Sequence, residues 1–166
     1  MSIMEENNQM IAAEPAVAYT PTMFDTVISY LHSSHMPIST KRAVYRQLQR
    51  EVADENMAYM KRRLKEFASL EAGWDGYGDA IPVSSIAISH AQQIINACRP
   101  SDLSEWRLFP NVNGTLLLEL DNAAINIGDD FFTYWAESKG KDIGEEFVPF
   151  KVDDVVEAIR KINAYV

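Results

Sequence analysis

The sequence predicts an α+β fold, with a helical N-terminal half, a small antiparallel β-meander packed against helices, and a C-terminal helix. Apolar residues recur at helical spacing as far as Cys98, at two-residue spacing after Trp106, and again at helical spacing from Val152. Apolar residues make up 47% of the chain and charged residues 23%, which is typical of globular proteins. With 166 residues, the chain is long enough for one main domain with its own core.

Three regions are expected along the chain. Residues 1–20 are mostly small or polar and lack periodicity, which predicts a flexible N-terminal arm. Residues 21–69 form a helical N-terminal region, with a short helix over 22–32 and a long helix from about 40 to 69 that contains no Gly or Pro. Residues 70–166 form the α+β domain. The long helix spans roughly 45 Å, more than such a domain needs, so we expect part of it to project or to pair with a partner.

The next helix, predicted over 85–98, has boundary signals at both ends. Ser84 or Ser85 can cap its first turn, since a serine hydroxyl accepts hydrogen bonds from the free backbone N–H groups there. Pro100 stops it, because the residue before a proline disfavours helical geometry.

The strands that follow permit a test of register. If Asp121 and Asn122 form a two-residue hairpin turn, three apolar pairs face each other and one surface becomes continuously apolar. These pairs are Leu120 with Ala123, Leu118 with Ile125, and Leu116 with Ile127. This agreement predicts the hairpin.

A second turn, over 128–130, leaves two registers open. A two-residue turn places Phe132 and Tyr134 on the leucine face and Phe131 and Trp135 on the other face, and a three-residue turn exchanges the two pairs. In either register large aromatic side chains occupy both faces, so each face needs a cover. We expect the helix before the sheet and the closing helix to cover one face each, unless another chain does so.

Two segments complete the chain. Residues 136–146 (AESKGKDIGEE) are polar and predict a mobile loop. A closing helix then begins near Val152, and its apolar residues fall on one side.

The stretch Leu70–Pro82 (LEAGWDGYGDAIP) resembles the Trp-Asp-Gly-Tyr-Gly-Ala-x-Pro motif of an uncharacterised family of small bacterial proteins, a domain of unknown function. In that family a helix and a two- or three-strand meander follow the motif, and the matching stretch here runs from Leu70 to Trp135. Asp79 departs from the pattern, since the family more often has Ala there. Relatives are often encoded beside small partner genes of toxin-antitoxin or mobile-element type, so the resemblance implies partner binding.

The motif has a structural and a functional interpretation. Its glycines allow tight turns, so that Trp74 and Tyr77 plug a gap between the helices and the sheet while Asp75 caps a neighbouring turn. In the functional interpretation, Trp74 or Tyr77 stacks on the ring of a ligand whose donors bind Asp75 and Asp79. The structural interpretation is favoured, because an aromatic residue flanked by glycines is more often a packed corner.

No catalytic or metal-binding pattern stands out in the sequence. His32, His35 and His90 lack the spacing of a zinc site, and no nucleophile elbow is present. The Gly-Asp-Asp turn at 128–130 is similar to the metal-binding turn of polymerases, but the chain is too short for that architecture. We therefore expect a protein that is not an enzyme and that uses no cofactor and no metal.

The start of the chain and its cysteine content indicate the compartment. The first residues are acidic and lack the continuous apolar run of a signal peptide or a membrane span. The single cysteine, Cys98, cannot form an internal disulfide. These features predict a cytoplasmic protein with no membrane partner.

Charge is distributed unevenly along the chain. The net charge is -9, yet residues 41–66 hold eight basic and four acidic side chains, a balance of +4 that leaves -13 on the rest. The basic segment can dock on the acidic body or on a second copy, or it can bind nucleic acid. Docking is favoured, because an acidic body repels phosphate.

Two functions are weighed from these features. The first is a non-catalytic protein-interaction module, antitoxin-like or immunity-like in its most specific form, with a protein partner or a homo-oligomer as its complex. The alternative is a nucleic-acid-binding protein that uses the basic helix over 41–65. The candidate ligand- or partner-binding residues are Trp74, Asp75, Tyr77, Asp79, Phe131 and Trp135. The candidate nucleic-acid-binding residues are Arg42, Arg46, Arg50, Lys61, Arg62, Arg63 and Lys65.

Overall fold

The computed structural model describes residues 23–166 and confirms the α+β class. The chain divides into two units, residues 1–41 and 42–166. The predicted arm over residues 1–20 lies outside the described residues. Helix α1 spans Met23–Ser33 in the first unit, and α2 spans Ile38–Phe67, beginning in the first unit and continuing through the second. Both helices lie within two residues of their predicted bounds.

The second unit contains the sheet and two further helices. Its elements, in chain order, are α3 (Ser85–Ala97), a short 3-10 turn (Pro100–Asp102), β1 (Arg107–Pro110), β2 (Leu116–Leu120), β3 (Ala123–Ile127), β4 (Phe131–Ser138), β5 (Lys141–Pro149) and α4 (Val152–Tyr165). The five strands form one antiparallel sheet in the order β1-β2-β3-β4-β5, each paired with its neighbour in sequence. The Ser84 hydroxyl caps α3 by accepting a hydrogen bond from the backbone N–H of Ile86 at 3.2 Å.

The predicted register of the first hairpin is confirmed. Strands β2 and β3 pair Leu120 with Ala123, Leu118 with Ile125, and Leu116 with Ile127. At the next turn the structure has the two-residue alternative, since Ile127 pairs with Phe132 and Ile125 with Tyr134. Phe132 and Tyr134 therefore lie on the leucine face and are buried, whereas Phe131 and Trp135 lie on the opposite face.

The prediction of a mobile loop over 136–146 is wrong. This segment completes β4, turns at Lys139 and Gly140, and forms most of β5. Both turn residues have positive φ, 52° and 72°, the geometry of a tight hairpin turn that follows the twist of the strands. The sequence does not predict this strand, because β5 carries Asp, Glu and Gly and has no apolar alternation. Its extended conformation comes from its pairing with β4.

The two helices that flank the sheet pack on the same face of it. Helix α3 contacts β2 and β3, α4 contacts β4, and the two helices contact each other. The expectation that they cover opposite faces is therefore wrong. Their apolar stripes and the leucine face form one core, which the end of α2 joins through Met60, Leu64 and Phe67. All the buried side chains of α2 lie at or after Ala53, so the earlier part of the helix adds nothing to this core.

Hydrogen bonds connect the segment before β1 to helices α2 and α4. The Asp102 side chain is 6% exposed and accepts hydrogen bonds from Arg99 Nη2 at 2.8 Å and from Arg160 Nε at 3.3 Å. Its hydrogen bond with Arg99 is the main reason that the pKa of this carboxyl lies below its usual value. The Asn56 amide of α2 donates to the carbonyl oxygens of Leu103 and Trp106. These contacts fix α2, α4 and the start of the sheet against one another.

Candidate functional site

The segment Leu70–Pro82 folds into a compact loop that its own backbone closes. The Gly73 amide donates to the Ala80 carbonyl oxygen at 2.7 Å, and the indole Nε1 of Trp74 donates to the Ile81 carbonyl oxygen at 3.1 Å. The three glycines of the motif have φ values from 75° to 89°, which L side chains adopt only under strain. The glycines and Trp74 thus account for the shape of the loop without a ligand.

The other candidate residues of this loop have differing surroundings. Asp75 Oδ1 accepts a hydrogen bond from the Tyr77 backbone amide at 3.1 Å, which agrees with its expected role in a turn. Tyr77 is 89% exposed, so the prediction that it plugs a gap is wrong. Asp79 is also exposed. The loop therefore presents Tyr77 and Asp79 to solvent, while Trp74 and Asp75 hold its fold.

The face of the sheet opposite the core is not covered by α3 or α4, and we call it the open face. Phe131 is 47% exposed and Trp135 is 44% exposed on it. Trp135 pairs with Ala124 on one side and Gly144 on the other, so neither neighbour in its row can shield the indole ring. The aromatic, aliphatic and neutral polar side chains of the open face include Phe109, Leu117, Ala124, Asn126, Phe131, Thr133, Trp135 and Phe147, and its charged side chains are described below.

A cleft of about 400 Å³ lies at one end of the open face. Asn126 and Thr133 line it together with Phe131 and Phe147. The ring centroids of the two phenylalanines lie 6.5 Å apart in an edge-to-face arrangement. The remaining lining residues come from the ends of loops and turns: Ile81, Pro82, Ser84, Asn113, Gly114, Thr115, Gly128, Asp129 and Asp130. The cleft thus joins the residues that follow the glycine motif to the turn between β3 and β4, although Trp74, Asp75, Tyr77 and Asp79 do not line it.

Phe147 occupies a strained position beside this cleft. Its φ is 54°, a region that costs a residue with a Cβ roughly 1–2 kcal/mol. The pairing of β4 with β5 is irregular between Phe132 and Tyr134, and the Phe147 amide donates to Thr133 Oγ1 at 3.3 Å within this bulge. The bulge turns the ring outward, where it is 72% exposed. Strained and exposed positions of this kind concentrate at functional sites.

The amide of Asn126 is the second unusual group in the cleft. Its Oδ1 atom is buried and has no hydrogen-bond partner among the described residues. An unpaired buried acceptor costs about 1–3 kcal/mol, so most folds avoid one. The alternation along β3 places this polar residue on the open face, and that signal was readable from the sequence. Phe147 gave no such signal, because its strand was not predicted.

Carboxylates outnumber cations around the open face. Asp129 and Asp130 form the turn at the cleft, and Glu137 lies directly opposite Asp142 at the far end of β4. None of these four side chains forms an ion pair within residues 26–166. Arg107 of β1, which lies opposite Glu119 in the register of β1 and β2, is a basic residue on this face. The open face is therefore aromatic in the middle and acidic at both ends.

The basic residues of α2 fall into two groups. Arg42, Arg46 and Arg50 are exposed, recur once per turn, and form no ion pair in the part of the chain that the structure describes. Two of them, Arg46 and Arg50, line a groove of about 420 Å³ together with Asp54, Pro100 and Ser101. Within residues 26–166, this ridge therefore does not dock on the acidic body through ion pairs.

The second basic group lies nearer the core end of the helix. Arg63 forms an ion pair with Glu66 at 2.6 Å, and its guanidinium lies 4.6 Å from the centroid of the Phe67 ring. Arg62 lies over the Tyr59 ring at 5.4 Å, while Lys61 is half-buried and Lys65 is exposed. Several of these side chains thus have partners on their own helix.

The described residues contain no arrangement that is typical of a metal site, and His90 has a structural role. No group of three or more His, Cys, Asp or Glu side chains there is arranged to hold a metal ion. His90 stacks on Phe150 with centroids 3.5 Å apart, and its Nδ1 lies 3.1 Å from the Gly128 carbonyl oxygen. His90 therefore supports the turn beside the cleft. Over the same residues, no helix is long and apolar enough to cross a membrane.

Comparisons with known proteins do not assign this chain to a family. No family model, no curated protein and no solved structure matches this chain. The family resemblance of the glycine motif therefore stays a prediction.

Proposed function

We propose that this protein is a non-catalytic protein-interaction module that binds its partner through the open face of the sheet. The observation that carries the proposal is the half-exposure of Phe131 and Trp135 on a sheet face that neither flanking helix covers. Large aromatic side chains are enriched among the residues that dominate binding energy in protein interfaces. Exposed aromatic patches of this kind mark interaction sites more often than ordinary surface.

The energetics of the open face favour a partner over solvent. Fully burying an aromatic side chain contributes about 1.5–3 kcal/mol, and Phe131, Trp135 and Phe147 each keep a substantial part of that contribution available. A sheet face is also rigid, so ordering it on binding costs little conformational entropy. The partner is a protein or a second copy of this chain, and the setting is the cytoplasm. An antitoxin-like or immunity-like role is supported by the motif resemblance alone.

Affinity capture with matched variants tests this proposal. The tagged protein, a Phe131→Ser/Trp135→Ser variant and a Tyr77→Ser variant are each used to capture partners from cells of the native host, with quantitative mass spectrometry as the readout. We expect one or a few proteins to be recovered with the unmodified chain and with Tyr77→Ser, and to fall about tenfold or more with the open-face variant. Sedimentation of the pure protein identifies a second copy as the partner. Equal recovery with all three chains contradicts the proposal.

A second candidate function, nucleic-acid binding, is favoured by the unpaired ridge of Arg42, Arg46 and Arg50. Cations spaced one turn apart can contact successive phosphates of a backbone. The carboxylates elsewhere on the chain oppose this function, because the net charge is -9. A gel shift at low salt that Arg46→Glu/Arg50→Glu abolishes supports nucleic-acid binding. If no shift is seen at low salt, nucleic-acid binding is contradicted.

A further inference from the structure

No basic side chain of residues 26–166 lines the cleft beside Phe131 and Phe147. Of its lining residues, Asp129 and Asp130 are charged, and both are acidic. Their side chains form no ion pair within residues 26–166, so no cation of the described chain neutralises them. Two adjacent carboxylates at the mouth of a cleft attract a positively charged group more strongly than either would alone.

Aromatic and amide groups complete the surroundings of these carboxylates. Phe131 and Phe147 line the cleft, and Phe147, which has a strained φ, is largely exposed. The residue Asn126 also lines the cleft, although its Oδ1 atom is itself buried. The cleft therefore combines aromatic surface with two carboxylates, and none of its lining residues in the described part of the chain is basic.

We propose that this cleft binds an arginine side chain carried by a basic segment of the protein partner. The inference rests on the proposed function, since it names the chemistry that the partner brings to the open face. The guanidinium meets Asp129 and Asp130, and the aliphatic stem and the guanidinium plane pack on the phenylalanine rings. The carboxylates of Glu137 and Asp142, at the far end of the same face, favour further basic residues in the same segment.

Arginine suits these surroundings better than lysine. A guanidinium is planar, stacks on aromatic rings, and offers five donors that match paired carboxylate oxygens. An ammonium is more strongly hydrated and lacks a plane to stack, so it loses more on entering a partly aromatic cleft. The volume of about 400 Å³ lies at the lower end of the range for ligand pockets, which fits one long side chain rather than a large ligand.

Peptide titration followed by NMR tests the inference on the full chain. The probes are end-blocked tri-arginine, tri-lysine and tri-citrulline, the last of which keeps the shape of arginine without its charge. Backbone amide shifts of residues 126–133 and 147 report the cleft. The variants are Asp129→Asn/Asp130→Asn, which removes the carboxylates, and Phe147→Gly, which removes the ring while relieving the positive φ and so keeps the fold. Glu55→Gln/Glu71→Gln is the control, since it makes the same change in net charge at exposed positions off the sheet.

We expect tri-arginine to shift these amides, to bind about fivefold more tightly than tri-lysine, and to bind far more tightly than tri-citrulline. Asp129→Asn/Asp130→Asn and Phe147→Gly should each weaken tri-arginine binding about fivefold or more, and the control should change it less than about twofold. Equal binding of tri-arginine and tri-lysine overturns the inference. An equal loss of binding in the control variant, or amide shifts confined to other surfaces, also overturns it. A dimer of the pure protein that Asp129→Asn/Asp130→Asn dissociates overturns it as well, since a second copy would then fill the cleft.

These experiments distinguish a failure of the arginine inference from a failure of the proposed function. If affinity capture depends on Phe131 and Trp135 while the cleft shows no preference for arginine, the open face binds protein by other chemistry and the arginine inference alone is wrong. If capture does not depend on Phe131 and Trp135, the proposed function is wrong, whatever the peptide titrations show.

Discussion

The indole Nε1 of Trp106 donates a hydrogen bond to Asn163 Oδ1 at 2.8 Å, and the amide of Asn163 donates in turn to the Asp102 carbonyl oxygen at 2.7 Å. One side chain of α4 thus satisfies two polar groups of the segment that leads into the sheet. Replacing Asn163 with Ala leaves the indole N–H of a buried tryptophan unpaired, so we expect the free energy of unfolding to fall by about 1–3 kcal/mol in urea titrations. Asn96→Ala, on the exposed side of α3, is the control and should stay within about 0.5 kcal/mol of the unmodified chain.

The buried carboxylate of Asp102 should make stability depend on pH. Its pKa is lowered in the folded state, first by hydrogen bonding to Arg99, so its contribution is complete above the ordinary value of 3.8 and is lost as pH falls through the folded pKa. Asp102→Asn removes this contribution. We expect the variant to be less stable by roughly 1–3 kcal/mol at neutral pH, with the difference shrinking below pH 3.8. A difference that stays constant down to strongly acid pH would show that the charge of Asp102 is not involved.

The thiol of Cys98 should be protected from reagents in the folded protein. Burial, reinforced by the charge of Asp102, raises the pKa of this thiol from 9.0 to about 11. The thiolate fraction at pH 8 is then about a hundredfold lower than for an unperturbed thiol, and the side chain is also shielded. Labelling with a disulfide reagent should be slow in buffer and fast in urea. Labelling in buffer at the rate of a free thiol would contradict the packing of this helix end.

Gly144 should resist substitution because of the backbone beside it. A Cβ added to Gly144 would lie 2.6 Å from the Tyr134 carbonyl oxygen, so the pairing of β4 with β5 would have to shift. We expect Gly144→Ala to destabilise the protein by about 1–3 kcal/mol in thermal unfolding. Lys141→Ala, at an exposed position of the same strand, supplies the comparison and should have little effect. Wild-type stability of Gly144→Ala would mean that the last hairpin has a different register.

Local patterns predicted much of this fold. The apolar spacing of α2, α3 and α4 and the complementary leucine and isoleucine positions of β2 and β3 are properties of single segments, and the structure confirms them. Strand β5 could not be predicted in this way, because its extended conformation depends on its pairing with β4. The sequence also could not predict which face of the sheet each helix covers. A period-two pattern shows that the two faces differ, but it does not assign a helix to either face.

The candidate site was predicted only in part. Phe131 and Trp135 were identified from alternation, and both lie on the open face. The cleft was missed because it depends on Asn126, on Phe147 in an unpredicted strand, and on the approach of the segment after the glycine motif to the loop before β2. That approach is a tertiary contact, shown by the Ile81 amide donating to the Val112 carbonyl oxygen at 3.0 Å.

The central claim is that a protein partner covers the open face, and hydroxyl-radical footprinting of the captured complex tests it most directly. We expect oxidation of Trp135 and Phe131 to fall about threefold or more when the partner is bound, while Tyr77, on the glycine-motif loop, stays as reactive as in the free chain. Unchanged oxidation of Trp135 and Phe131 in the complex, or protection of Tyr77 in their place, would contradict the claim.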